Sequence, residues 1–222
     1  MRLENACSGV LPDRETGRRS SRQAGARCDG AANAVSGAKA GLPLVMHADM
    51  LPVQWVKLLL NLNNSINALA NRPLKEELAQ PAYRRCLGMA QSEALALLAR
   101  AGIRPARSTP VPPAWMPHFL GLPDARFARL GRAMLTIDPL ARSSMSDDLE
   151  AGRATEVDWI NGEVVKLARR LGLNAPVNKL LCELAHDAER SKVRPSWTGD
   201  PLLSELRAAS SGALTKTQLL PA

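Results

Sequence analysis

Residues Ser143 to Asn178 read SSMSDDLEAGRATEVDWINGEVVKLARRLGLNAPVN, and their pattern decides the fold. Apolar residues recur at Val157, Ile160, Val164, Leu167 and Leu171, spaced by threes and fours along one face of an α-helix. Thr155 and Asp158 form a capping-box-like pair ahead of that series, and Gly172 ends it. Pro176 then separates it from a second helix over Val177 to Ser191, where Leu180, Leu181 and Leu184 supply another apolar stripe. Ser144 and Glu156 therefore stand at the mouth of an amphipathic helix.

Upstream, Trp55 to Asn67 reads WVKLLLNLNNSIN and belongs to a long helix. Asp49 is its expected N-cap, Pro52 suits its first turn, Val53, Val56, Leu60 and Ile66 trace one side, and it ends near Asn71-Arg72-Pro73. Another long helix is expected from Pro81 to Ala101, stopped by Gly102. The proline-rich stretch Ile103 to Pro117 reads as a connection. Further helices are expected over Asp124 to Leu135 and Asp200 to Ala209, and the tail after Ser210 reads as frayed.

With aromatics at 3% and Ala, Leu and Arg abundant, the 222 residues favour helices around one aliphatic core. The organisation expected is a disordered or non-native segment over residues 1–41, a helical domain over 42–210 and a flexible tail over 211–222. Residues 1–40 show neither helical nor strand period. Four acids there argue against a transit peptide, and the composition fits GC-rich DNA read in a wrong frame better. Leu42 to His47 reads as one strand with no second strand to pair with.

A net charge of +8 permits nucleic acid, an anionic surface or a carboxylate substrate. The charge is spread along the chain without a basic tract carrying aromatics, which argues for a solvated surface and against nucleic acid. Cys7, Cys28, Cys86 and Cys182 form no CxxC pair, and His47, His118 and His186 lack ligand spacing, so no metal is expected and the thiols read as reduced and structural in a cytoplasmic protein. No apolar run reaches the roughly 18 residues of a membrane span. No two glycines lie two residues apart, which excludes a GxGxxG dinucleotide turn, and there is neither a Walker loop nor a GxSxG elbow.

The polar residues that remain are weak signals singly. Lys57, Asn61 and Asn64 project from one side of a helix, yet a helical lysine usually reaches for solvent and a helical asparagine usually bonds to backbone. Glu156 in a first turn favours the helix dipole whatever its chemistry, and Ser144 reads equally as a cap for the segment holding Asp147 and Asp148.

Taken together the segments carry more. Trp55-x-Lys57-Leu-Leu-Leu-Asn61, Ser143-Ser-Met145, Gly152-Arg-x-Thr155-Glu156-x-Asp158-x-Ile160-Asn-Gly162 and Pro176-x-Asn178 occur in the order seen in the 2-dehydropantoate 2-reductase (ketopantoate reductase) family, whose C-terminal domain this chain resembles from Leu42 to about Arg190. The resemblance implies an all-α fold, the multi-helix domain of the ketopantoate reductase and 6-phosphogluconate dehydrogenase C-terminal type. In that family it follows a Rossmann domain that binds NADPH, of which Leu44 to Met46 would be the last remnant.

The implied reaction is NADPH-dependent reduction of 2-dehydropantoate to pantoate, on the route to pantothenate. By the same resemblance Lys57 is the proton donor, Glu156 holds the substrate hydroxyl and orients Lys57, and Asn61, Asn64 and Ser144 bind the substrate. Two positions depart from the family pattern. Ser65 stands where a second asparagine is common, leaving Asn64, Ser65 and Asn67 open for that role, and Asp147 replaces the glutamine of SSMxQD.

Without a dinucleotide turn the chain is expected to be inactive alone, and the implied partners are a 2-oxo acid, a Rossmann domain in trans and a second copy of the chain. The alternative reading is a non-catalytic helical oligomerisation or interaction module derived from that family. A third, a basic nucleic-acid binder, predicts salt-dependent DNA binding.

Overall fold

The computed structural model describes residues 49–107, 109, 111–130, 138–191 and 193–217, without the side chains of 213–217. Every α-helix or strand found among them is a helix: α1 Leu51–Asn61, α2 Asn63–Ala70, α3 Leu74–Ala79, α4 Pro81–Arg100, α5 Met116–Leu120, α6 Asp124–Leu130, α7 Ser144–Glu150, α8 Val157–Arg170, α9 Pro176–Arg190 and α10 Gly199–Thr217. A single 3-10 turn, Pro113–Trp115, leads into α5. The expected strand at Leu42 to His47 lies outside the described residues.

α4 is the hub. It packs against α2, α3, α5, α8, α9 and α10, while α9 lies against α2, α8 and α10. The core is aliphatic, as the composition implies, with Leu62, Ile66, Leu69, Leu98, Leu181, Leu202 and Leu206 fully buried. Truncating any of these leucines to alanine removes apolar burial and leaves a void, a loss of about 2–5 kcal/mol.

The stripe read from Ser143 to Asn178 is the buried face of α8: Val157, Ile160, Val164 and Leu167 are all under 7% exposed. Gly172 ends α8 at φ 67°, with Leu173 N–H donating to Ala168 O in a left-handed cap that glycine adopts without a Cβ penalty. Gly102 closes α4 the same way at φ 71°.

Several boundaries move. Asp49 is not the N-cap of α1; Met50 is, and the Asp49 carboxylate accepts the Leu51 N–H at 2.9 Å. The long first helix is divided at Leu62, whose N–H still donates to Leu58 O at 3.0 Å, so α1 and α2 form a nearly continuous rod that ends at left-handed Asn71. The proline-rich connection contains α5, because Pro117 sits in a first turn where its missing N–H costs nothing. α3 fills a stretch with no expected element.

The capping-box pair is also replaced. Glu156 occupies the N-cap of α8, while the Thr155 backbone N–H and hydroxyl both donate to the Glu189 carboxylate at 2.7 Å. Of the helix expected over Asp124 to Leu135, the part to Leu130 is present and the rest lies outside the described residues. α10 runs past the expected Ala209 to Thr217. Its start is pressed on α4, where a Cβ at Gly199 would stand 2.8 Å from that of Ala82.

One buried cation ties the far side together. Arg84, 1% exposed, donates to the carbonyls of Leu78, Ala79, Leu120 and Leu122 and to the Asp124 carboxylate at 2.6 Å, with its guanidinium 4.2 Å from the Phe127 ring centre. It satisfies backbone acceptors that the ends of α3 and α5 leave open. No described helix is long and apolar enough to cross a membrane.

Candidate functional site

The α1–α2 rod sorts its residues by face. Trp55, Val56, Leu59, Leu62, Asn63, Ile66 and Asn67 point inward, a three-four spacing carried through both helices. The complementary stripe, Lys57, Leu60, Asn61 and Asn64, meets solvent: Lys57 and Leu60 are exposed, Asn61 and Asn64 half-buried. Three of the five residues expected in the site thus share one open face, with Leu60 between them.

α7 brings the fourth. Ser143, not Ser144, caps this helix: its Oγ accepts the Ser146 N–H at 3.2 Å and donates to Asn64 O at 3.2 Å. The Ser143 N–H donates to Asn67 Oδ1 at 2.9 Å. Ser144, the next residue, is left exposed at the first position of α7. Glu156 is exposed at the start of α8, and among the described residues no hydrogen bond or ion pair joins it to Lys57.

Behind this wall lies a polar network that the sequence reading did not identify. Asn67 is fully buried and uses its whole amide: Nδ2 donates to Arg72 O at 2.9 Å and to Glu77 Oε2 at 2.5 Å, while Oδ1 receives the Ser143 N–H. Glu77 is itself fully buried. Desolvation pushes its carboxyl up to about 8 against the partial relief of its amide partners Asn67 and Asn63. Asn67 and Glu77 lie ten residues apart on separate helices, a separation that no local period reveals.

Of the three candidates for the second asparagine, Ser65 is fully buried with its hydroxyl donating to Leu62 O, and Asn67 is spent on the interior network. Asn64 alone of the three retains solvent access.

A second interior network joins α4, α8 and α9. Glu93 accepts the backbone N–H groups of Val177 and Asn178, each at 3.0 Å, and the Asn178 amide at 2.9 Å. Burial holds its carboxyl above the ordinary value. Asn161 Nδ2 donates to Asn178 Oδ1 at 3.1 Å, so Asn161 and Asn178, both within the quoted motifs, serve the packing of three helices. Cys86 and Cys182 are free, buried thiols pushed up to about 12, mainly by desolvation. Among the described residues no group of three His, Cys, Asp or Glu side chains is placed to hold a metal ion.

These features define an all-helical domain with its polar side chains gathered on the α1–α2 rod and in two interior networks. The family model described as ketopantoate reductase PanE/ApbA C terminal matches residues 49–189, and the chain belongs to that family as its C-terminal domain. A 2-dehydropantoate 2-reductase of Pyrobaculum aerophilum is 33% identical over 138 residues, which cover 61% of this chain and 43% of that protein. One of Archaeoglobus fulgidus is 46% identical over 48 residues, 22% of this chain and 16% of that protein.

The crystal structure of a PanE/ApbA family ketopantoate reductase from Ralstonia eutropha JMP134 shares the fold with a TM-score of 0.56 at 23% identity, over 72% of this chain and 48% of that one. The chain spans less than half the length of these relatives.

Proposed function

We propose that the described unit is the substrate-binding half of an NADPH-dependent 2-oxo acid reductase, acting on 2-dehydropantoate or a close analogue to give the 2-hydroxy acid. The observation that carries this reading is the open stripe of Lys57, Asn61 and Asn64, with the start of α7 tied to α2 through Ser143, in a chain of the ketopantoate reductase family. NADPH would supply the hydride. The described residues do not fit that cofactor by themselves, since all are helical or loop and no glycine-rich turn precedes a helix. A dinucleotide-binding unit, on this or another chain, is therefore part of the proposal.

The chemistry assigned to this chain is proton transfer and positioning. Reduction of a ketone carbon leaves an alkoxide oxygen. The Lys57 ammonium stabilises that charge and donates its proton, a general-acid contribution of about 10²- to 10⁴-fold. Asn61 and Asn64 present amides to the polar groups of the substrate, and their solvent access favours Asn64 over Ser65 and Asn67 as the second amide. Ser144 offers an exposed hydroxyl at the first position of α7 to the polar groups of the substrate. Glu156 accepts the substrate hydroxyl once the substrate bridges it to Lys57.

Titration of the isotope-labelled chain with 2-dehydropantoate, followed by NMR, tests the binding half. Saturable shifts centred on Asn61, Asn64, Ser144 and Glu156, and weakened in Asn61→Ala, are expected. Shifts confined to other residues would remove the proposal. Leu60, 40% exposed beside Lys57, favours a second reading in which this face serves as a protein interface. Sedimentation velocity separates the two, since an interaction module self-associates through Leu60 and a Leu60→Lys variant abolishes that association.

A further inference from the structure

Between α4, α5, α10 and the start of α9 lies an open groove of about 580 Å³ that contains none of Lys57, Asn61, Asn64, Ser144 and Glu156. Its size is that of a small-molecule site. Its floor is apolar, formed by Met89, Val177 and Leu203, and its rim carries Arg85, Arg207 and His118. Both arginines are exposed, and neither makes a hydrogen bond or ion pair among the described residues. Gly88 faces α5, where a Cβ would meet Pro117 O at 3.4 Å, an ordinary packing contact.

The charge on this groove is one-sided. Glu93 is the only acid among its described lining residues, and both carboxylate oxygens are already turned to the N–H groups at the start of α9. What is left facing the opening is two guanidiniums, an imidazole and the hydroxyls of Ser92 and Ser210 above an apolar base. Guanidinium groups recognise carboxylates and phosphates by paired N–H donation.

We infer that this groove binds a small organic anion, a phosphate or carboxylate head carried on a short apolar body, at a site separate from the Lys57 face. The chain's own ends do not complement it. Residues 1–48 hold seven Lys or Arg against four acids, and residues 213–222 hold one Lys and no acid. A second copy, also at net charge +8, is repelled in the same way.

The test is a titration of the full chain with hexyl phosphate, hexanoate, inorganic phosphate and hexanol, followed by the methyl resonances of Met89, Val177 and Leu203. Hexyl phosphate or hexanoate shifts these methyls saturably, and the stronger of the two identifies the head group. Hexanol and inorganic phosphate, each with half of the chemistry, bind more weakly by about tenfold or more. An Arg85→Gln, Arg207→Gln double variant loses at least about tenfold in affinity for the organic anion. Lys57→Ala leaves this titration unchanged, so failure here and failure of the reductase reading are told apart. Absence of saturable shifts with both organic anions, or hexanol binding as tightly as they do, overturns the inference. So does a folded double variant that binds like the parent, and the parent titration decides alone if that variant does not fold.

Discussion

Glu77 is fully buried, and its pKa rises from an ordinary 4.5 to about 8, so between these values the folded chain keeps a proton that the unfolded chain has released. The folded state then binds more protons than the unfolded state, and stability falls as pH rises through that window. Thermal melts from pH 4.5 to 9 are expected to show Glu77→Gln, which keeps an acceptor for the Asn67 amide, gaining on the parent as pH rises. A difference independent of pH contradicts this account of Glu77.

The two described cysteines give a second prediction at the same scale. With thiols pushed up to about 12 and buried, Cys86 and Cys182 remain unmodified by iodoacetamide at pH 8 in the folded chain and react fully in denaturant, as peptide mass spectrometry reads. Single residues were unevenly legible. Cys86 and Cys182, expected as reduced and mostly structural thiols, are free and buried among the helices. Arg84 was not recognisable, because in a basic chain one more arginine looks solvated, and only the fold reveals that it closes five acceptors.

Elements were read well where the apolar period is strong and where glycine or asparagine ends them. The spans of α4 and α9 fall within a residue of expectation, and Gly102, Gly172 and Asn71 stop their helices in left-handed conformations. The short helices α3 and α5 escaped because six and five residues hold too little periodicity against neighbouring prolines. Helix starts were misplaced by one residue at Met50, Ser143 and Glu156, since the side chain that caps depends on tertiary partners such as Glu189 for Thr155.

The start of α9 illustrates the energetics of such partners. Removing the Glu93 carboxylate orphans the Val177 and Asn178 N–H groups and leaves the Asn178 amide only the Ala90 carbonyl to donate to. Glu93→Ala is expected to lower stability by about 1–3 kcal/mol in urea denaturation, with Asn178→Ala similar and the double variant losing less than their sum. Strict additivity contradicts the shared network.

For the whole molecule, the all-helical class and the family were legible because separated motifs occur in order, while the packing that unites them was not. Asn64, Asn67 and Ser143 meet across more than seventy residues of sequence, and that meeting fixes the start of α7 against α2. The central claim is that this face supplies the proton and the substrate contacts of a 2-oxo acid reduction.

Its most direct measurement joins this chain to the part of the Pyrobaculum aerophilum relative that it does not match, and follows NADPH oxidation with 2-dehydropantoate. The joined protein is expected to turn over, and Lys57→Ala to lower kcat by about 10²- to 10⁴-fold while leaving the melting temperature within a few degrees, as an exposed lysine should. A joined protein whose turnover is indifferent to Lys57→Ala would contradict the claim.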